Sequence, residues 1–418
     1  MSGPKVVRIV TREERIATCQ GLLARLDAAL EEWERVGHRN GSVSDEDVRK
    51  MRARHVKLTE ALEADRFAEV QREAPRETKF VQDDQDQRLA AAVEQRKRAR
   101  LTKQRTRMVQ AQLQAALASN PAAPVGSLTD GQRALAQELL DSDSSSQSYE
   151  QWLGEQAPLD GLEQRFAQLS VLLEDADVTQ FEQRLRALED EPSQSRQDLL
   201  RDSLTVDLTR AVREARNRLA MLGRLRALGA ELRVVGTDSA VRAADSLLSS
   251  LNGGDAAALA KLEADGTRIL ESEREAFAAH MRRQAVLNGL ASLGYQVNEG
   301  LETAWVQAGR LVINRPSQPG YGVELGGTGE KGRLQARVVA FRAADAAVDK
   351  ARDLDAEQLW CSDFTNLGER LASSGIELTV EKALPVGAVP LKTIADAATA
   401  SSAAENAPVL RERTLGRS

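Results

Sequence analysis

Three histidines, His38, His55 and His280, and two cysteines, Cys19 and Cys361, are the whole supply of imidazole and thiol in a chain of 418 residues. No Ser-His, Cys-His or paired-cysteine spacing connects them, so neither an activated nucleophile nor a thiolate zinc site is written into the sequence. The cysteines lie near opposite ends of the chain, which provides no disulfide framework and suits a reducing compartment. Cys361 follows Trp360 near the start of an expected helix, without a partner base, and reads as a packing residue. No catalytic residue, cofactor or metal is assigned, and the reading leans away from an enzyme.

Two stretches could bind an anion. Gly326-Gly327-Thr328-Gly329-Glu330-Lys331-Gly332 has the glycines of a phosphate loop, but Glu330 precedes the lysine and Gly332 follows it where a P-loop needs Ser or Thr and then a helix. A connection within a β-hairpin is the better reading. The run Arg96, Lys97, Arg98, Arg100, Lys103, Arg105 and Arg107 puts seven cations into twelve residues, with no acid between Glu94 and Asp130. Cations so dense can neutralise phosphates if they share a groove. The sequence suggests instead that they spread around their helix, and no aromatic residue interleaves to stack bases. A solvated or acid-partnered face is therefore expected, with nucleic acid as the alternative.

The elements that hold these residues are mostly helices. Thr11-Arg12-Glu13-Glu14 is a capping-box pattern, after which Ile16, Cys19, Leu23, Leu26, Leu30 and Trp33 recur at intervals of three and four until Gly37. Ser44 caps a second helix whose seam is Val48, Met51, His55, Leu58 and Leu62, with His55 as an interfacial residue. Two such stripes joined by a short polar loop predict an antiparallel coiled-coil hairpin whose seams meet each other or a partner. Pro75 should end or kink the second arm, and a third helix should run from about Asp83 to Ala118. Asn120 to Ser127 is a linker by its prolines and glycine, and Asp141 to Ser148 a polar loop beyond a short helix from Gln132 to Leu140. Leu159 to Leu188 implies two helices, or one with a break, near Asp175, and Leu204 to Leu232 a long amphipathic helix, with another from Leu259 toward Leu293.

Composition changes near Leu287, where ten glycines fall between Gly289 and Gly332. Strands are expected at 303–307, 310–314, 321–325 and 334–341, with a tight hairpin at Ala308-Gly309. A helix through Leu359, Phe364, Leu367 and Leu371 and a strand at 376–380 follow. The fold class is thus mainly α, with long helices and a small C-terminal α+β domain containing an antiparallel sheet. Its expected parts are a helical region 1–119, a linker 120–128, a helical region 129–284, the α+β domain 285–393 and a tail 394–418.

Charged residues make up 29% and aromatics 3%, the balance of a helix-rich protein, and the net charge of −6 argues against wholesale coating of nucleic acid. No run of 18 apolar residues exists and the first residues lack the core of a secretory signal, so no transmembrane segment and a cytoplasmic location are expected. Apolar ridges that must lie against something point to a non-enzymatic scaffold or interaction protein that assembles with itself or with a protein partner. The alternatives are a nucleic-acid-associated factor using the basic helix 96–107, or a nucleotide-binding module or enzyme in the C-terminal domain.

Overall fold

Thr11 sets where the first helix begins, its hydroxyl accepting from the Glu14 backbone N–H at 3.2 Å. The expected capping box is only half built. Glu14 turns its carboxylate away from the cap and clasps the Arg282 guanidinium with both oxygens, joining the start of the chain to a helix more than 260 residues on. The computed structural model describes residues 4–119, 157–173, 175–253, 255–327, 329–342 and 348–394. The linker 120–128, the short helix 132–140, the polar loop 141–148 and the tail beyond Ile394 fall outside the described residues.

Helices α1 (Arg12–Arg39), α2 (Asp45–Glu63) and α3 (Phe67–Ser119) form the first packed group. Ser44 and Asp47 make the full reciprocal cap on α2, at 3.1 and 3.2 Å. Leu23, Leu26, Leu30 and Trp33 of α1 meet Met51 and Leu58 of α2 and Phe67, Val70, Ala74 and Val81 of α3. The expected break at Pro75 is corrected: the chain turns at Ala64–Arg66, where Asp65 takes a φ of 58°, and α3 runs through Pro75. Val70, Ala74 and Val81 are buried on both sides of that proline, so packing outweighs the ~3 kcal/mol that an interior proline costs.

The middle of the chain supplies α4 (Ala157–Leu172), α5 (Asp175–Asp190), α6 (Gln194–Val235), α7 (Asp238–Ser249) and α8 (Ala256–Ser292). Forty-two residues make α6 about 63 Å long. Its first half closes a core with α4 and α5 through Leu204, Leu208 and Val212, and its second half another with α7 and α8 through Leu225, Leu228 and Leu232. Two buried carboxylates tie this rod to its neighbours. Glu32 of α1 receives Arg35, at 2.6 Å, and Arg226 of α6, while Glu231 of α6 receives Arg25 of α1 and, at 2.6 Å, Arg274 of α8. Pairing of this kind is what lets a carboxylate sit out of water.

The chain is mainly α with a small α+β unit at its C-terminal side. Strands β1 (Lys5–Val10), β2 (Arg310–Asn314), β3 (Tyr321–Gly326), β4 (Arg333–Phe341) and β5 (Glu377–Ala383) form an antiparallel sheet in the order β2-β3-β4-β1-β5, and β6 (Lys392–Ile394) pairs in parallel with β4. Register places Val7 opposite Leu334 and Val380, and Val323 opposite Ile313 and Val338. The face carrying Val7, Ile9, Val323 and Val338 packs on Val286, Leu287 and Leu290 of α8 and on Trp360, Phe364 and Leu367 of α10 (Lys350–Ser373). The strand expected at 303–307 is instead helix α9 (Leu301–Ala308), bounded by Gly300 at φ 89° and Gly309 at φ 67°. A single buried residue decides it: Trp305 is fully buried and its indole donates to the Gly327 carbonyl at 2.6 Å, whereas its neighbour Val306 faces water. Gly309 therefore ends a helix and is no hairpin tip. No described helix is long and apolar enough to cross a membrane.

Candidate interaction surfaces

The expected partner seam is closed inside the chain. Cys19, Leu23, Leu26, Leu30, Trp33, Met51 and Leu58 are buried, and Ile16, Val48, His55 and Leu62 are half-buried, with all but His55 belonging to or packing against the core shared by α1, α2 and α3. The Trp33 indole donates to Asp84 of α3 at 2.7 Å, and the buried Cys19 thiol, its pKa raised by burial, lies 3.8 Å from the Phe67 carbonyl. The third helix, expected only from about Asp83, begins at Phe67, and its first turns cover this ridge within the chain. Within the chain these residues form an internal core.

The cations of α3 are arranged otherwise than expected. At 100° per residue, Arg96, Arg100, Lys103 and Arg107 follow one another at intervals of four, three and four and fall within an arc of about 60°, while Lys97, Arg98 and Arg105 lie on other faces. The four line a cleft of about 360 Å³ whose far wall is Phe166 and Ser170 of α4 and Glu182, Arg186 and Glu189 of α5. Arg96 donates to the Ser170 carbonyl and, at 3.1 Å, to Asn40. Arg100 lies 4.4 Å over the Phe166 ring, 2.5 Å from the buried Glu163 carboxylate and 3.8 Å from Glu189. The Gln104 amide donates to both carboxylates, at 3.2 and 2.6 Å. Burial pushes the Glu163 carboxyl up and Arg100 opposes that shift. Lys103 and Arg107 are exposed and have no carboxylate partner among the described residues. Sequence reasoning missed Glu163, Gln104 and Glu189; only Glu163, beside the apolar set Leu162, Phe166 and Leu169, left a trace, a charge flanking a buried stripe.

No protein-family model, curated protein or solved structure matches this chain. Its surfaces must speak for its function.

One of them is a trough of about 1,070 Å³ bounded by α1, α3, α4, α6 and α8. Ala28 and Ala29 of α1, Ala90 of α3 and Ala220, Gly223 and Ala227 of α6 contribute small side chains to its lining. A Cβ added at Gly223 would meet nothing within 4 Å, so this stretch of α6 faces open space. Residues 78–94 of α3 and 216–231 of α6 flank it for roughly 23 Å, about four helical turns. Most rim cations are matched, Arg25 and Arg274 by Glu231 and Arg224 by Glu263 at 2.7 Å.

The remaining chemistry-bearing residues are absorbed by the fold. The glycine loop joins β3 to β4, and the Glu275 carboxylate of α8 accepts the Lys331 backbone N–H at 2.6 Å while Arg282 donates to the Gly329 carbonyl at 2.8 Å. A protein carboxylate thus takes an N–H that a phosphate would use. His280 and Arg283 share Glu302, at 2.6 and 3.1 Å. Lys5 is buried beneath α10, its amine 3.5 Å from Cys361 and 4.5 Å over the Phe364 ring, and burial lowers its pKa. Among the described residues no group of three His, Cys, Asp or Glu side chains is placed to hold a metal ion.

Proposed function

We propose that this chain is an interaction protein that seats an amphipathic helix of a protein partner in the trough between α1, α3, α4, α6 and α8. The observation that carries the proposal is the lining of small residues around Gly223, which lets another helix approach closely along a channel of helical width and several turns' length. Charge at the rim suggests the partner's flanks. Asp86 and Glu271 have no cation partner among the described residues, against Arg216 as the opposing charge, so a helix with Lys or Arg beside its apolar stripe fits best. Neither Cys19 nor Cys361 is in a disulfide, which suits a reducing, cytoplasmic setting.

Gly223→Trp tests this, because it projects an indole into the trough from a position where an added Cβ meets nothing within 4 Å. Affinity purification from the native host should recover a stable companion with the wild-type chain and lose it with the variant, at an unchanged thermal midpoint. Companions retained by the variant, or none with either chain, would contradict the proposal. A second copy as occupant would show instead as a mass that rises with concentration in light scattering and ceases to rise in Gly223→Trp.

A further inference from the structure

The cationic cleft between α3, α4 and α5 is separate from the trough, and its geometry points to a ligand of its own. We infer that it binds the phosphate of a small phosphorylated, hydroxyl-bearing molecule. Five cations, Arg96, Arg100, Lys103, Arg107 and Arg186, line it against the carboxylates Glu182 and Glu189, in a protein whose overall charge is −6. The deep end is already fixed: Arg100 is held by Glu163, Glu189 and the Phe166 ring, and Arg96 by Ser170 and Asn40. At the mouth, Lys103 and Arg107 project one turn apart without a carboxylate among the described residues, an arrangement that places two charge-assisted donors on one anion.

Size and the opposite wall select the ligand class. A volume of about 360 Å³ lies at the lower end of the range for small-molecule sites. A nucleic-acid strand laid along the four cations would run past Glu182 and Glu189, and the cleft's one aromatic ring, Phe166, is buried under Arg100 and offers no face to a base. Glu182 already receives Arg186 on Oε1 at 2.8 Å and Glu189 receives Gln104 on Oε1 at 2.6 Å, and the second oxygen of each carboxylate is suited to accept from the hydroxyls of a compact ligand whose phosphate reaches Lys103 and Arg107.

Calorimetric titration of the full chain at low salt, with inorganic pyrophosphate and with adenosine monophosphate as probes, reads the site directly. Both should bind with a Kd below about 1 mM, and Lys103→Gln/Arg107→Gln should weaken each by about tenfold or more, since the loss of even one of the two charge-assisted bonds costs that much. Both side chains are exposed, so the thermal midpoint should stay within about 2 °C. The control Arg98→Gln/Arg105→Gln removes the same charge from other faces and should leave the affinities within about twofold. Absence of binding at about 10 mM probe would overturn the inference, as would equal losses in both double variants. A single-stranded 20-mer that binds with a steep salt dependence and is not displaced by pyrophosphate would also overturn it, in favour of a nucleic-acid surface. Neither result depends on whether Gly223→Trp releases a partner.

Discussion

Glu163 lies under Arg100 with its carboxyl pushed up from the ordinary glutamate range, burial being the largest cause and the arginine's charge and hydrogen bond opposing it. A carboxyl whose folded pKa is raised binds more protons folded than unfolded, so it contributes stability at low pH that is lost as pH climbs from the unfolded value of about 4.5 through the raised one. Glu163→Gln should therefore flatten the fall in thermal midpoint between about pH 4.5 and neutrality, while Glu189 keeps Arg100 partnered. Midpoints measured in parallel across that window check it, and a variant with the wild-type slope would show that Glu163 does not titrate there. At this scale the sequence was informative about single residues and silent about pairs. The density of cations from Arg96 to Arg107 is plain in the sequence, whereas the shared face of Arg96, Arg100, Lys103 and Arg107 is obscured there by Lys97, Arg98 and Arg105, which make the charge look spread around the helix. Which carboxylates answer them is not, because Glu163 and Glu189 lie on other helices and nothing local marks them as neighbours.

Helix α3 shows what happens when local propensity and packing disagree. Pro75 removes one backbone donor and crowds the preceding turn, which argues for a break, yet Val70, Ala74 and Val81 fix the helix against α1 and α2 on either side. Pro75 itself is exposed, so Pro75→Ala restores the missing hydrogen bond without touching the core. Stability should rise by about 1–3 kcal/mol in a urea titration, and a decrease would mean that the proline sets a bend the packing requires. The other misread elements share a cause. Residues 303–307 have β-branched and aromatic character, but eight residues between two left-handed glycines are settled by where Trp305 can bury itself. Strand β1 does alternate, with Val7 and Ile9 buried and Arg8 exposed, but six residues ahead of a helix cap carry little signal. Caps and long amphipathic stripes, by contrast, were legible because their determinants lie within a few residues of one another.

Across the whole molecule, the chain closes on itself. β1 lies between β4 and β5, so the sheet that follows residue 300 is completed by residues 5–10, and the Arg282–Glu14 clasp holds that closure. Residues 285–393 expressed alone lack the interior strand β1 that joins β4 to β5. They should show no cooperative thermal transition by circular dichroism, and a sharp one would show that the sheet tolerates the gap. Long-range closure of this kind is invisible to periodicity, which reports that a stripe must be covered and not by what. The stripes of α1 and α2 illustrate it: they had to be covered, and α3 covers them, while the trough that five helices leave between them is where the proposed function seats a partner. A photo-reactive benzoylphenylalanine placed at position 223 in the native host tests that most directly. The proposed function predicts one dominant crosslink, to a helical segment of a partner polypeptide; crosslinks confined to this chain's own α1, α3 or α8 would contradict it.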